Sequence, residues 1–140
     1  MSASTMDWRE GEALPELRLA PVGRLDLIRY AGASGDYNPI HTIDAEAEKA
    51  GLPGIIQHGM LTMAELGRLF SPHLGQALLR EFRIRFTGMV FLGDEMVFAA
   101  TVSGVEDHDA GRLARFDIAA RTGEGREVAN GTAELLVCSS

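Results

Sequence analysis

An α+β fold, with an antiparallel sheet wrapped around one long buried helix, is the class this sequence predicts. Three observations predict it. A long, mostly apolar segment with helical spacing lies in the first half. From Leu78 onward the hydrophobic period changes to two. Turn signals then recur between the alternating runs.

The helical segments come first. In "GRLDLIRYAGASG", Leu25, Ile28 and Ala31 share a helical face, and Gly32 and Gly35 are expected to stop the helix. "TIDAEAEKAG" reads as a short helix capped by Thr42 or Asp44 and ended by Gly51. "HGMLTMAELGRLFSPHLG" is the longest candidate. Its apolar residues cover most of the circumference, interrupted by Glu65 and Arg68. A helix apolar nearly all round is a buried one.

The strands follow. In "EFRIRFTG", Phe82, Ile84 and Phe86 alternate with Arg83, Arg85 and Thr87. "GDEMVFAATVSGVE" follows a Gly93-Asp94 turn. "GRLARFDIAART" sets Ala114, Phe116 and Ile118 against Arg115, Asp117 and Arg121, and "REVANGTAELLVC" closes the set. "DHDAG" and "TGEG" are hairpin-like turns. With "LPELRLAPV" near the N-terminus, about five strands are expected. One sheet around one helix leaves edge strands that invite pairing, so a dimer is expected.

Bulk properties narrow the function. Residues 1–140 read as one domain, without repeat, linker or low-complexity tract. Hydrophobic residues make up 46%, enough to bury a core. The net charge of −7 argues against nucleic acid as the main partner. Twelve of the thirteen cations are Arg, with Lys49 the exception. Codon bias and a phosphate-gripping role both account for that bias. The single cysteine, Cys138, allows no internal disulfide and fits a reducing cytosol. "MSASTMDWREGE" lacks a signal-like apolar stretch, and no run approaches the roughly 18 apolar residues of a membrane span. A soluble cytoplasmic protein is expected.

"GDYNPIHTID", residues 35–44, carries Asp36, Asn38, His41 and Asp44 in a segment with no regular period. One reading is a plain turn whose Asp36 and Asn38 satisfy backbone amides. The other is chemical. A carboxylate and an imidazole that flank one water form a proton-transfer pair. Further on, "QHGM" places Gly59 at the start of the buried helix, where backbone N–H groups are unpaired. Such a terminus holds a developing oxyanion, and glycine lets a ligand come close. An acid–base pair with an oxyanion donor is what adding water to a polarised double bond requires.

Other chemistries fit less well. "GASGD" brings its second glycine one residue too early for a G-x-S-x-G elbow, which weakens Ser34 as a nucleophile. Asp36, His41, Asp44 and His58 match no metal-ligand spacing, so no metal is expected. No phosphate loop or G-x-G-x-x-G is present.

Residues 30–70, "YAGASGDYNPIHTIDAEAEKAGLPGIIQHGMLTMAELGRLF", closely resemble the MaoC-like, R-specific enoyl-CoA hydratase family. The shared pattern is A-x-x-S-G-D-x-N-P-I-H, then A-x-x-x-G, then H-G-M-L. "RFTGMVFLGDEM" resembles the family's later F-x-x-P-V-x-x-G-D segment, with Met89 where proline is usual. That departure bears on chain-length preference rather than on chemistry.

The resemblance implies a hotdog fold and a homodimer or dimer of dimers, with a heterodimer as the other arrangement. It implies catalytic roles for Asp36 and His41. It places the thioester oxygen on the Gly59 backbone N–H and gives Asn38 a supporting role. The implied reaction is reversible syn hydration of a trans-2-enoyl thioester, with no metal or redox cofactor. An acyl chain between sheet and helix would meet Leu61, Met63, Leu66 and Phe82. Arg83 and Arg85 are candidates for CoA or an acyl carrier protein, with a solvated strand face as the alternative. A hotdog acyl-CoA thioesterase, a non-catalytic subunit of a heteromeric dehydratase and an acyl-CoA sensor are the competing functions.

Overall fold

A computed structural model of the chain describes residues 7–138. The first six residues, part of the stretch read above for a signal segment, lie outside the described residues, as do residues 139–140.

Five strands form one antiparallel sheet: β1 (Leu17–Arg18), β2 (Ala77–Phe86), β3 (Met96–His108), β4 (Gly111–Thr122) and β5 (Glu127–Cys138), in the order β1-β3-β4-β5-β2. The three long hairpin-linked strands are those that the alternation predicted. Ala114, Phe116 and Ile118 point into the core as expected. β1 is far shorter than "LPELRLAPV" suggested. Pro15 and Pro21 flank it, and proline has no N–H to give to a ladder. Beyond it the pairing with β3 continues irregularly, by an isolated bridge between Ala13 and Thr101 and by N–H bonds from Leu14 to Ala100 O and from Leu19 to Met96 O.

Three helices precede β2: α1 (Arg24–Ser34), α2 (Asp44–Lys49) and α3 (Gly59–Gly67). In α1 the buried residues are Leu27 and Ala31, while Leu25 and Ile28 are 55% and 48% exposed. The expected apolar face is therefore rotated, with only Ala31 kept. Gly32 lies inside the helix, and Gly35, at φ 78°, caps it in the left-handed region. α2 takes neither expected side-chain cap. Its N-cap is Ile43, and Asp44 is its first residue.

α3 is also shorter than its apolar run. After Gly67 the chain tightens, with Arg68, Leu69 and Phe70 each donating N–H three residues back. Ser71–His73 then forms a 3₁₀ turn. Pro72 accounts for the stop, because it lacks a donor and its ring clashes with the carbonyl four residues earlier. Nor is α3 buried all round. Thr62 and Leu66 are enclosed, Leu61 and Met63 are half-buried, and Met60 is 59% exposed.

The buried side of α3 lies against β3 and β4. Phe70, Phe98 and Phe116 are among the largest fully enclosed side chains. Phe70 meets Phe116 edge-on at 5.3 Å between ring centroids, and Trp8 closes on Phe116 at 5.0 Å. The segment before α3 is tied to the loop after α1 by the Ile56 N–H bond to Ile40 O at 3.2 Å. Among the described residues no helix is long and apolar enough to cross a membrane.

Candidate active site

The loop between α1 and α2 is built from nested side-chain turns. Asp36 N–H donates to Ser34 Oγ at 3.1 Å, Asn38 N–H to Asp36 Oδ1 at 3.2 Å, and Ile40 N–H to Asn38 Oδ1 at 3.3 Å. Asn38 thereby caps the 3₁₀ turn Pro39–His41. The plain-turn reading of Asp36 and Asn38 is thus correct for one oxygen of each, and it leaves Asp36 Oδ2 uncommitted to the backbone. Arg24, at the start of α1, clasps the loop's far end by bonding Asp44 Oδ2 at 2.9 Å and Thr42 O at 3.1 Å.

His41 is buried, and its Nδ1–H donates to the Ile56 carbonyl at 2.7 Å. That bond sets the tautomer, so neutral His41 has its lone pair on Nε2. Nε2 lies 3.8 Å from Asp36 Oδ2. This is too long for a direct hydrogen bond, and at such a separation a shared water is the question to ask.

Gly59 opens α3. Leu61 and Thr62 N–H both donate to His58 O, so the Gly59 and Met60 N–H groups precede the first bonds of the helix. Gly59 and His41 line one cleft of about 150 Å³, together with Gln57, Thr62, Phe86 and Met89. His41 and Gly59 therefore line the same space. The Asp36 carboxylate meets His41 from the more exposed side.

The other candidates are dispersed. Leu61 lines a second cavity, of about 360 Å³, between α1 and α3. Leu66 is enclosed in the core and Phe82 packs near Phe70, at 6.3 Å between centroids. Met63 is half-buried and lines neither of these two cavities. Arg83 Nε pairs with Glu81 at 2.6 Å, and exposed Arg85 has no ion-pair partner among the described residues.

Residues overlooked in the sequence complete the surroundings. His58, considered there only as a metal ligand, is 1% exposed. Its Nε2 bonds the Asp36 carbonyl at 3.2 Å, and its ring stacks on His41 at 3.9 Å. Burial pushes its pKa below the ordinary histidine value, and the charge of His41 adds to that. Asp36, His41 and His58 bring donor atoms within 4.8 Å of one another, a spacing that could hold a metal ion. Asp44, also weighed as a ligand, pairs with Arg24 instead.

Gln57 separates the two cavities. Its Nε2 donates to Thr62 Oγ1 at 2.9 Å and to Glu65 Oε1 at 2.7 Å. The only sequence signal was one acid on an apolar helix with an amide eight positions earlier.

Burial raises the Glu65 carboxyl above the ordinary value, and the Gln57 amide pulls the other way. A raised folded-state pKa stabilises the fold below the unfolded pKa, and that contribution is lost as pH rises through the folded value. Glu65→Gln removes the titration. Its Tm relative to wild type is expected to climb as pH rises above the ordinary glutamate value of about 4.3. A flat difference in thermal melts would contradict this account.

Comparison with known proteins gives the same picture. The chain is 37% identical over 110 residues to the fatty acid synthase beta subunit pkiC of Emericella nidulans, covering 76% of this chain and 6% of that one. It is 33% identical over 87 residues to a mitochondrial 3-hydroxyacyl-[acyl-carrier-protein] dehydratase of Arabidopsis thaliana, covering 62% of this chain and 51% of the relative. The chain thus spans only a small part of the first and about half of the second. The unliganded R-hydratase PhaJ1 of Pseudomonas aeruginosa superposes with a TM-score of 0.82 at 25% identity, covering 96% of this chain and 85% of that structure. Residues 10–131 match the family profile described as MaoC like domain. With that match over most of its length, the chain belongs to the MaoC-like domain family and has the hotdog fold.

Proposed function

We propose that the chain is an (R)-specific enoyl-thioester hydratase, catalysing the reversible syn hydration of trans-2-enoyl thioesters to (R)-3-hydroxyacyl thioesters. One observation carries this reading. The His41 Nδ1–H bond to Ile56 O leaves Nε2 as a lone pair, 3.8 Å from the Asp36 carboxylate and on the same cleft as Gly59.

The roles follow from that geometry. Gly59 N–H polarises the thioester carbonyl and holds the enolate charge. His41 Nε2 takes a proton from water as the oxygen bonds to C3. The Asp36 carboxyl, carrying the pair's single proton, delivers it to C2. Proton return from His41 to Asp36 resets the pair. Both parts of the water arrive from one side, which makes the addition syn. Asn38 keeps Asp36 and His41 on one rigid turn.

The carrier is CoA or an acyl carrier protein, and exposed Arg85, without an ion-pair partner among the described residues, is free to take its phosphate, whereas Arg83 is paired with Glu81. Of the acyl-contact candidates, Leu61 lines a cavity, whereas Leu66 is enclosed in the core and Met63 and Phe82 line neither cavity. A second copy of the chain fits the β2 edge, which pairs on one side only and lies near exposed Phe86 and Met89. A homodimer or dimer of dimers in the cytoplasm is the assembly this supports, and gel filtration of the lone chain tests it.

Absorbance at the enoyl band, followed with crotonyl-, trans-2-octenoyl- and trans-2-hexadecenoyl-CoA, should fall on addition of the chain. Chiral analysis should give the (R) product. Release of free CoA thiol without hydration would favour the thioesterase instead. No reaction with any substrate unless a second protein is added would favour a non-catalytic subunit.

A further inference from the structure

We propose, resting on the hydratase reading, that His58 is a positioning residue: its ring ties the acid to the base, and its peptide presents the oxyanion donor. No other residue described here touches all three parts. Its Nε2–H donates to the Asp36 carbonyl at 3.2 Å, which fixes the peptide from which the carboxylate projects. Its ring lies flat under His41, with centroids 3.9 Å apart and planes 24° apart. Its own carbonyl accepts the first N–H bonds of α3, so it aims the neighbouring Gly59 N–H.

With the ring's one proton on Nε2, Nδ1 is left an acceptor, and no described protein donor reaches it. An apolar ring of similar size would bury no such atom but could not bond Asp36 O.

The titratable groups facing His58 are His41 and Asp36 from the loop and Tyr30 from α1, whose ring meets it edge-on at 4.8 Å. When His41 takes the proton from water, an uncharged face beneath it avoids a second buried cation. Burial and the His41 charge both oppose protonation of His58.

Two variants separate the contributions. His58→Phe keeps a stacked ring and loses the donor. His58→Gln keeps a donor at similar reach and loses the ring. With crotonyl-CoA, His58→Phe is expected to lose about 10- to 100-fold in kcat, the range typical of partners that orient a reacting histidine, while KM changes little. His58→Gln is expected to recover part of that loss. Both variants retaining wild-type kcat would overturn the proposal, and so would losses that merely track the folded fraction seen by circular dichroism.

Nitrogen-15 spectra of the histidine rings in the wild-type chain provide a readout independent of activity and of variant folding. His58 should be the neutral Nε2–H tautomer at and below the ordinary histidine pKa of about 6.5. A charged ring, or the Nδ1–H tautomer, would overturn the proposal. An inactive wild type with the expected His58 tautomer would count against the hydratase reading alone.

Discussion

Asp36→Asn and His41→Ala each lower kcat for enoyl-thioester hydration by about 10²- to 10⁴-fold, the usual cost of removing a positioned general acid or base. The double variant falls little further, because two groups that share one proton and one water act as a unit. Asp36→Asn keeps an oxygen for the Asn38 N–H, so the turn survives while the proton carrier is lost. His41→Ala leaves the Ile56 carbonyl without its ring donor and opens the stack on His58. Some loss of stability is therefore expected from His41→Ala and little from Asp36→Asn. Crotonyl-CoA kinetics beside thermal melts separate the two effects. Near wild-type rates in both variants would remove the pair from the mechanism.

Gly59→Pro is the second large effect. Proline at the first position of a helix removes only an N–H that the helix does not use. His58, at φ −57° and ψ 131°, already has the extended backbone that a following proline requires. The fold should survive, whereas loss of one oxyanion donor costs about 10²- to 10³-fold in kcat. Gly59→Ala is the comparison, and it is expected to lose less than Gly59→Pro. Its Cβ would sit 3.4 to 3.7 Å from the Phe86 ring, an ordinary contact, and the N–H is kept. An active Gly59→Pro, or equal losses in the two variants, would show that the N–H does not carry the charge.

How much was legible in the sequence differs by residue for physical reasons. The alternation at Ala114, Phe116 and Ile118 reports a half-buried sheet directly, because side chains on a strand have a period of exactly two faces. Asp36, Asn38, His41 and Gly59 stood out because turn chemistry restricts residue type there and because the segment resembles the family pattern. Helix faces were less secure. Leu25 and Ile28 satisfy helical spacing as well as Leu27 and Ala31 do, and only tertiary packing chose the second pair. The end of α3 depended on Pro72, which lies beyond a run apolar enough to hide the stop. His58 and the Gln57–Thr62–Glu65 cluster were invisible as a unit. A polar side chain next to a glycine gives no sign of burial until the neighbouring loop is folded over it.

Asp36, His41, His58 and Gly59 all fall within one uninterrupted stretch, positions 36 to 59, and Arg24 clasps that stretch at Thr42 and Asp44. The sheet supplies a platform but none of these four side chains or amides. Such an arrangement is portable. A single insertion of this unit, with its supporting strands, brings the whole constellation into a much longer polypeptide without help from distant segments. The match to a small fraction of a giant fungal synthase subunit is the kind of kinship that portability permits.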